Sequence, residues 1–319
     1  LAAITLGLPP LRLAKMVCLM QTASRTFRLF VSSTFSDLKL ERNALQDNVF
    51  PRLQELCRKQ GFQFQAIDLR WGVSEEAGRD QQTMAICLEE LERCQETTPR
   101  PNFLVLLGDR YGWRPLPYRI LASEFELLLS AVSMSDTDLL LWQPNQLDDR
   151  AGWYRRNDNA VPAEYVLRAR AVNVSEDASA LELQQLHDEE ARTWAQIERR
   201  LARAFRQALD RLGWDRTDPR RIEFEASATH QEILRGALQP ADAGNHVLCF
   251  IREVAEIPRD EQARDYLDID DAGCADQDAQ RELKTLKNEL RAALGVNCCT
   301  YKTRWSGQGA STDHLPAFC

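Results

Sequence analysis

Residues 27–41 read FRLFVSSTFSDLKLE, and they decide the fold class of this 319-residue chain. An apolar run that ends at Val31 stops at three hydroxyl residues, and a charged amphipathic stretch follows at once. This order is typical of a buried strand that enters a helix through a short turn. Such a turn directs backbone N–H groups and hydroxyls out of the carboxyl edge of a sheet, where open α/β folds bind ligands. The hydroxyl residues are Ser32, Ser33 and Thr34.

Five strand candidates lie along the chain, with helical patterns between them. They are residues 27–32, 62–68, 103–108, 246–252 and 296–303. The first four are short and apolar on both faces, which is typical of a parallel sheet covered on both sides. We therefore predict an α/β fold with a doubly wound, mostly parallel five-stranded sheet of order 2-1-3-4-5.

Three amphipathic helices are predicted to connect these strands. The first carries an apolar stripe between Leu38 and Leu56, and the second is predicted over residues 79–95. The third is predicted over residues 278–294, because Gly295 directly after it is a good C-cap.

The stretch from about residue 115 to 243 is too long for a single crossover between strands. Apolar residues spaced as one helix face predict a long helix over residues 181–212. We expect residues 222–225 to form an extra edge strand and residues 229–238 to form a short helix. The pattern predicts a long helical insertion between strands 3 and 4, at about residues 135–220, packed beside the sheet.

Composition limits the classes of function. The net charge is −8 and no basic stripe with interleaved aromatic residues occurs, so nucleic acid is a poor default partner. Nine cysteines without a CxxC pair favour a reduced thiol set and a cytoplasmic protein. No apolar run reaches the length of a membrane span. The histidines and cysteines lack the spacing of metal ligands, so no metal site is predicted.

We expect three parts along the chain. Residues 1–24 are predicted to be a disordered or artefactual extension, because their mildly apolar start lacks the ordered regions of a signal peptide. Residues 25–305 are predicted to form the α/β domain. Residues 306–319 are predicted to be a truncated tail, so we interpret the chain as a fragment of a longer protein.

Polar clusters follow the first two predicted strands. The hydroxyl turn after the first strand either holds a phosphate or ribose at a helix N-terminus or only caps that helix. Asp37 follows this turn at capping-box spacing from Thr34. Asp68, Arg70 and Trp71 follow the second strand. A carboxylate beside an arginine there indicates either the lip of a pocket or a structural ion-pair network.

A cluster of glycine, charged and aromatic residues follows the third predicted strand. Its glycines permit a tight turn and a close backbone approach. Its aromatic rings offer flat faces to a base or a proline. The residues of this cluster that we assign to the pocket are Gly108, Asp109, Arg110, Tyr111 and Trp113.

Four ordered motifs in this chain resemble a known family. They read FRLFVSSTFSDLKLERNALQDNVFPRLQEL (27–56), FQAIDLRWGVSEEA (64–77), FLVLLGDRYGWRPLP (103–117) and SEFELL (123–128). They look like the N-terminal domain of unknown function found ahead of NACHT ATPase modules, as in NACHT and WD-repeat proteins and the telomerase-associated protein component. The resemblance covers about residues 27–305 and implies a flavodoxin/TIR-like fold.

The same resemblance points to a candidate catalytic carboxylate. In TIR-type NAD glycohydrolases, a helix glutamate stabilises the ribose cation as nicotinamide leaves. Glu124 is the best match by position and Glu126 the second, and a carboxylate there suits oxocarbenium-like charge. Two acids at a helix N-terminus are also favoured by the helix dipole alone. The implied cofactor is NAD or another nucleotide. ATP is expected only in a NACHT module, since no GxxxxGK[ST] loop occurs here.

Three functions stay open at this point. The first is a signalling and protein-interaction module of a NACHT (STAND-type) ATPase with WD or other repeats, acting through self-association or partner recruitment. The second is a TIR-like NAD glycohydrolase effector that uses Glu124. The third is a helical scaffold that binds a partner through residues 181–212. The resemblance favours the first, a binding module rather than an enzyme.

Overall fold

A computed structural model describes residues 25–69, 81–98, 100–143, 152–170, 179–216 and 218–319. These residues form two compact units. The sheet unit holds the described residues up to 68, with residues 90–110 and 235–319. The insertion unit holds the described residues of 69–89 and 111–234.

Eight strands lie within the described residues. They are β1 (Thr26–Ser32), β2 (Gln63–Ile67), β3 (Phe103–Leu107), β4 (Arg119–Leu121), β5 (Tyr154–Asn157), β6 (Glu164–Leu167), β7 (Val247–Ala255) and β8 (Cys298–Arg304).

Eleven α-helices lie in the same part of the chain. They are α1 (Lys39–Ala44), α2 (Phe50–Lys59), α3 (Thr83–Thr97), α4 (Ala122–Ala131), α5 (Met134–Leu140), α6 (Ala180–Arg211), α7 (Pro219–Glu225), α8 (Ala228–Ile233), α9 (Ala243–His246), α10 (Gln277–Leu294) and α11 (Leu315–Phe318). A π-helical turn, Leu45–Val49, joins α1 to α2.

The sheet unit is built on a five-stranded sheet of order β2-β1-β3-β7-β8, and every neighbouring pair is parallel. The predicted α/β fold and strand order are therefore confirmed. The central strand β3 has the sequence FLVLL, and all five side chains are buried, as expected for a parallel strand covered on both faces. On one face, Val31 of β1 and Leu104 of β3 pack with Leu38 and Phe50.

Helix α10 shows how local sequence sets its ends. The side chain of Asp276 accepts hydrogen bonds from the backbone N–H groups of Asp278 and Ala279, which caps the N-terminus. Gly295 follows the last residue with φ of 51°, a conformation that glycine adopts without a Cβ clash. The predicted helix and its glycine cap are both found.

The insertion unit contains the predicted long helix, as α6, within the chain segment that joins β3 to β7. It also contains a three-stranded antiparallel sheet of order β4-β6-β5, which the sequence reading did not anticipate. Its strands have only three or four residues each. Leu201, Phe205 and Leu209 of α6 are buried in the core of this unit.

One predicted element differs from the structure. Residues 222–225, predicted as an edge strand, belong to helix α7, because the Asp218 side chain caps the helix and Pro219 occupies its first turn. Near the end of the chain, Phe318 lies 5.5 Å from Phe250, ring centre to ring centre, within the sheet unit. The truncated tail at residues 306–319 stays a prediction. Residues 1–24 lie outside the described residues.

None of the helices in the described residues is long and apolar enough to cross a membrane.

Candidate functional site

The sheet unit encloses a buried charge cluster, made of Asp37, Glu41, Arg252 and His314. Arg252 projects from β7, and its side chain and that of Glu41 are completely shielded from solvent. Its Nη1 donates to the Glu41 carboxylate at 2.9 and 3.0 Å and to the backbone carbonyl of Asp37 at 2.6 Å. Its Nη2 lies 3.6 Å from Asp37 Oδ2. One guanidinium therefore balances two buried carboxyl groups.

Glu41 is held by two further contacts from the end of the chain. Nε2 of His314 lies 2.8 Å from Glu41 Oε1, and the hydroxyl of Tyr301 donates to the same oxygen at 3.2 Å. The rings of Tyr301 and His314 stack with centres 5.2 Å apart. Burial and the charge of Glu41 raise the pKa of Tyr301 well above its ordinary value, so its hydroxyl stays a donor.

Asp37 is the less satisfied of the two carboxyl groups. Its Oδ1 accepts a hydrogen bond from the Thr34 hydroxyl at 2.5 Å. Its buried Oδ2 has no hydrogen-bond partner among the described residues. Burial raises the pKa of Asp37 to about 6, although Arg252 and the Thr34 hydroxyl act in the opposite direction. The cluster therefore gains or loses a proton near neutral pH.

Gly108, at the end of β3, lies against this cluster. A Cβ atom at this position would overlap Asp37 Oδ2 and lie 3.0 Å from Arg252 Nη2. Only glycine leaves room for the carboxyl and guanidinium groups here.

The two residues after Gly108 contact a strand, a helix and the turn after β1. Oδ2 of Asp109 accepts a hydrogen bond from the backbone N–H of Val254 at 3.2 Å. Lys287 of α10 places its Nζ 3.7 Å from Asp109 Oδ1, and burial lowers the pKa of Lys287. Arg110 donates to the Ser36 hydroxyl at 2.5 Å. Asp109 and Arg110 are therefore engaged by the protein itself.

The hydroxyl residues of the turn after β1 are also shielded from solvent. Ser32, Ser33 and Thr34 are all buried. The Ser33 hydroxyl donates to the backbone carbonyl of Thr34 at 2.7 Å. Next to the turn, Arg42 bonds the Val31 carbonyl at 3.0 Å and lies 3.3 Å from Asp68. Arg70 and Trp71 lie outside the described residues.

The aromatic residues after Arg110 belong to the insertion unit. The Tyr111 hydroxyl lies 2.7 Å from Nδ1 of His230, and burial lowers the pKa of that histidine to about 4, so the imidazole is neutral. Trp113 is partly exposed, and its Nε1 donates to Glu198 at 2.9 Å.

The two candidate catalytic glutamates differ in their surroundings. Glu124 lies in the first turn of α4, and its buried Oε1 has no hydrogen-bond partner among the described residues. Burial raises the pKa of Glu124, and Glu223 raises it further. Glu126 instead forms an exposed ion pair with Arg156. Only Glu124 has the partly desolvated environment that a catalytic acid needs.

Comparison with known proteins identifies part of the chain. Residues 28–134 match the family described as "Domain of unknown function (DUF4062)". Residues 28–134, in the N-terminal part of the chain, carry this DUF4062 domain. Every residue that the sequence assigned to the pocket or to catalysis lies within residues 28–134.

Homologous proteins share most of the chain. It is 30% identical to human "NACHT and WD repeat domain-containing protein 2" over 89% of this chain and 17% of that protein. It is also 30% identical to mouse "NACHT domain- and WD repeat-containing protein 1" over 83% of this chain and 16% of that protein. Rat "Telomerase protein component 1" is 42% identical over 30% of this chain and 3% of its own length. The chain thus spans about a sixth of the length of the first two relatives. No solved structure matches.

Sequence reasoning missed the residues that complete the cluster. Arg252, Tyr301 and His314 lie outside the part of the chain that matches DUF4062. The sequence does contain one signal for Arg252. This arginine directly follows the apolar run VLCFI (247–251), and an arginine in a buried strand requires a partner. No comparable local signal marked His314.

Proposed function

We propose that this DUF4062-containing chain is a signalling and protein-interaction module of a NACHT (STAND-type) ATPase with WD or other repeats. It acts through self-association or recruitment of a protein partner. The names of the homologous proteins support the NACHT and WD-repeat context. A TIR-like character and a cytoplasmic location belong to the same proposal, and nucleic acid and membrane are not partners in it.

One observation carries the choice of a binding module over an enzyme. At the carboxyl edge of the sheet, where α/β enzymes hold their ligands, Asp37, Glu41 and Arg252 are buried and form ion pairs with one another. The guanidinium group of Arg252 lies beside Asp37, with Nη2 3.6 Å from Oδ2. The edge is therefore a rigid polar support.

An exposed aromatic residue lies next to a buried arginine at this edge of the sheet. Phe35 is 57% exposed, and the guanidinium carbon of the buried Arg42 lies 5.0 Å from its ring centre. A large apolar ring held next to a fixed network offers contact area at low entropic cost. We assign the self-association contact to the face around Phe35.

Sedimentation velocity over a concentration series tests this function. Growth of the sedimentation coefficient with concentration is expected for the unaltered chain. A chain that stays monomeric throughout the series would eliminate self-association.

A second candidate is a TIR-like NAD glycohydrolase, and one observation favours it. The half-buried Glu124, with its unpartnered Oε1 and raised pKa, suits stabilisation of a developing ribosyl cation. NAD hydrolysis at high protein concentration, compared between the unaltered chain, Glu124→Gln and Glu126→Gln, tests it. Turnover lost only in Glu124→Gln supports the enzyme, and an absence of turnover in folded protein opposes it.

The scaffold alternative has less support. Along α6, the apolar face from Leu201 to Leu209 is buried in the core of the insertion unit. Leu181, near the N-terminus of the helix, is 68% exposed. This part of the apolar face is therefore not available to a partner helix.

A further inference from the structure

The insertion unit contains a cavity of about 340 Å³ that none of the functions above uses. This volume lies at the small end of the range for ligand sites in proteins. The residues that matter for the argument are Gln81, Trp113, Leu116, Arg170, Trp194 and Glu198. They come from four separate stretches of the insertion unit, so the fold itself assembles this cavity.

Two residues of the cavity lining, Gln81 and Arg170, each carry a buried nitrogen donor that lacks a partner among the described residues. Nε of Arg170 and Nε2 of Gln81 are buried, and neither forms a hydrogen bond to any of the described residues. Arg170 is nevertheless held in place, because its Nη1 lies 3.4 Å from Glu190 and its guanidinium carbon lies 5.5 Å from the centre of the Trp194 ring. A buried donor without an acceptor costs free energy, so a bound acceptor group would stabilise this arrangement. A phosphate or carboxylate suits the positive charge of Arg170 best.

Two indole rings in the lining have fixed positions. The Trp113 ring is 47% exposed and is anchored through its Nε1 to Glu198 at 2.9 Å. The Trp194 ring is anchored by Trp153, whose ring centre is 4.9 Å away in an edge-to-face arrangement. Indole faces bind planar groups by stacking, and Leu116 adds an apolar surface. The cavity therefore suits a ligand with a flat ring.

Glu198 refines the chemistry of that ring. Its carboxyl group lies in the lining and already accepts the Trp113 N–H. A carboxylate oxygen accepts more than one hydrogen bond, so it suits a planar group that carries an amino donor. Arg170 is the positive counterpart in the same lining and suits the anionic end of the ligand.

We propose that this cavity binds a nucleoside monophosphate with an amino-bearing base. The base lies against Trp113 and Trp194, near Glu198, and the phosphate meets Arg170 and Gln81. Glu124 does not line this cavity, so the site is independent of the glycohydrolase candidate. Self-association through Phe35 belongs to the sheet unit, so the two proposals stand or fall separately.

Isothermal titration calorimetry on the whole chain tests the site, with AMP, adenosine and ribose 5-phosphate as probes. AMP is expected to bind at least about tenfold more tightly than either half, because both ends contribute. Arg170→Gln should weaken AMP binding without changing the affinity for adenosine. Trp113→Leu should weaken both. Arg168→Gln is the matched control, since Arg168 is a nearby arginine that lines a different groove, and it should leave AMP binding unchanged.

Three calorimetric results would overturn the proposal. They are no AMP binding in folded protein, equal affinity for AMP and ribose 5-phosphate, and AMP binding that is unchanged in Arg170→Gln. Photo-crosslinking of 8-azido-AMP to the unaltered chain covers the case in which a variant fails to fold. Labelled peptides that contain Trp113 or Trp194 are expected, and labelling confined to other peptides would also refute the site.

Discussion

Arg252 and Glu41 are 211 residues apart in the chain, yet Arg252 Nη1 lies 2.9 Å from Glu41 Oε1 with both side chains completely buried. This pair joins β7 to α1 at the carboxyl edge of the sheet. The cost of removing two charges from water is recovered only while both partners are present. The pair therefore fixes the position of the turn after β1 and of everything attached to it.

Removal of Arg252 should destabilise the chain strongly. Arg252→Leu leaves Asp37 and Glu41 buried without their cation, and the expected loss is about 3–5 kcal/mol of unfolding free energy. Denaturant unfolding measures it. The control is Arg264→Leu, which breaks an exposed pair with Glu261 and should cost at most about 1 kcal/mol. Equal losses in the two variants would contradict the role assigned to Arg252.

Asp37 should make stability depend on pH in a defined direction. Its folded-state pKa of about 6 lies above the ordinary value of 3.8. The carboxyl group therefore favours folding most below pH 3.8, and this contribution is lost as the pH rises through about 6. Unfolding free energies of the unaltered chain and Asp37→Asn at pH 7 and pH 5 provide the comparison. The unaltered chain should gain on the order of 1 kcal/mol relative to the variant on going to pH 5. A relative loss at pH 5 would show that the pKa of Asp37 is depressed instead.

Gly108 should tolerate no side chain. In Gly108→Ala the new methyl group would overlap Asp37 Oδ2, so we expect a loss of about 1–3 kcal/mol through displaced cluster atoms. Thermal and denaturant unfolding both report it. Gly244→Ala is the control, because a Cβ atom there meets nothing within 4 Å. A neutral Gly108→Ala would mean that the cluster has more room than the structure shows.

Cys298 should be the thiol that reacts at neutral pH. A hydrogen bond with the buried Cys249, its register partner on β7, lowers the pKa of Cys298 to about 7, and Arg291 acts in the same direction. The thiolate is the nucleophile, so its alkylation rate should rise with pH around a midpoint near 7. Mass-spectrometric mapping with iodoacetamide follows each cysteine, and Cys249→Ser should move the midpoint upward. If the alkylation rate of Cys298 in the unaltered chain had the pH midpoint of an ordinary thiol, the lowered pKa of Cys298 would be contradicted.

Local patterns predicted the sheet unit well, for physical reasons. Strands such as FLVLL are buried on both faces, so their composition alone reveals them, and helical stripes between them imply parallel order. The short antiparallel strands of the insertion unit carry too few residues to show a period of two. The four residues from Ile222 alternate apolar and acidic side chains, as a strand does, but the Asp218 cap and Pro219 before them start a helix.

The site was predicted in part, and the division has a clear cause. Asp37, Gly108 and their neighbours were found because they follow strands in the parallel sheet, whose ends share one edge. Arg252 and His314 were missed because their partner, Glu41, is 211 and 273 residues away, a separation that no local pattern encodes. When Arg252 is not considered, the polar residues after the strands are interpreted as the lining of an open pocket and not as part of a buried charge cluster.

The most direct test of the central claim is sedimentation velocity of the whole chain, Phe35→Ser and Leu56→Ser over one concentration series. Phe35 and Leu56 are both 57% exposed in the sheet unit, so they match in exposure and differ in position. We expect the sedimentation coefficient of the unaltered chain to rise with concentration. Phe35→Ser should require at least about tenfold more protein for the same rise, as for an interface anchor, and Leu56→Ser should behave as the unaltered chain does. A sedimentation coefficient that keeps the value of a monomer throughout, or a rise that Phe35→Ser does not shift, would contradict self-association through the face around Phe35.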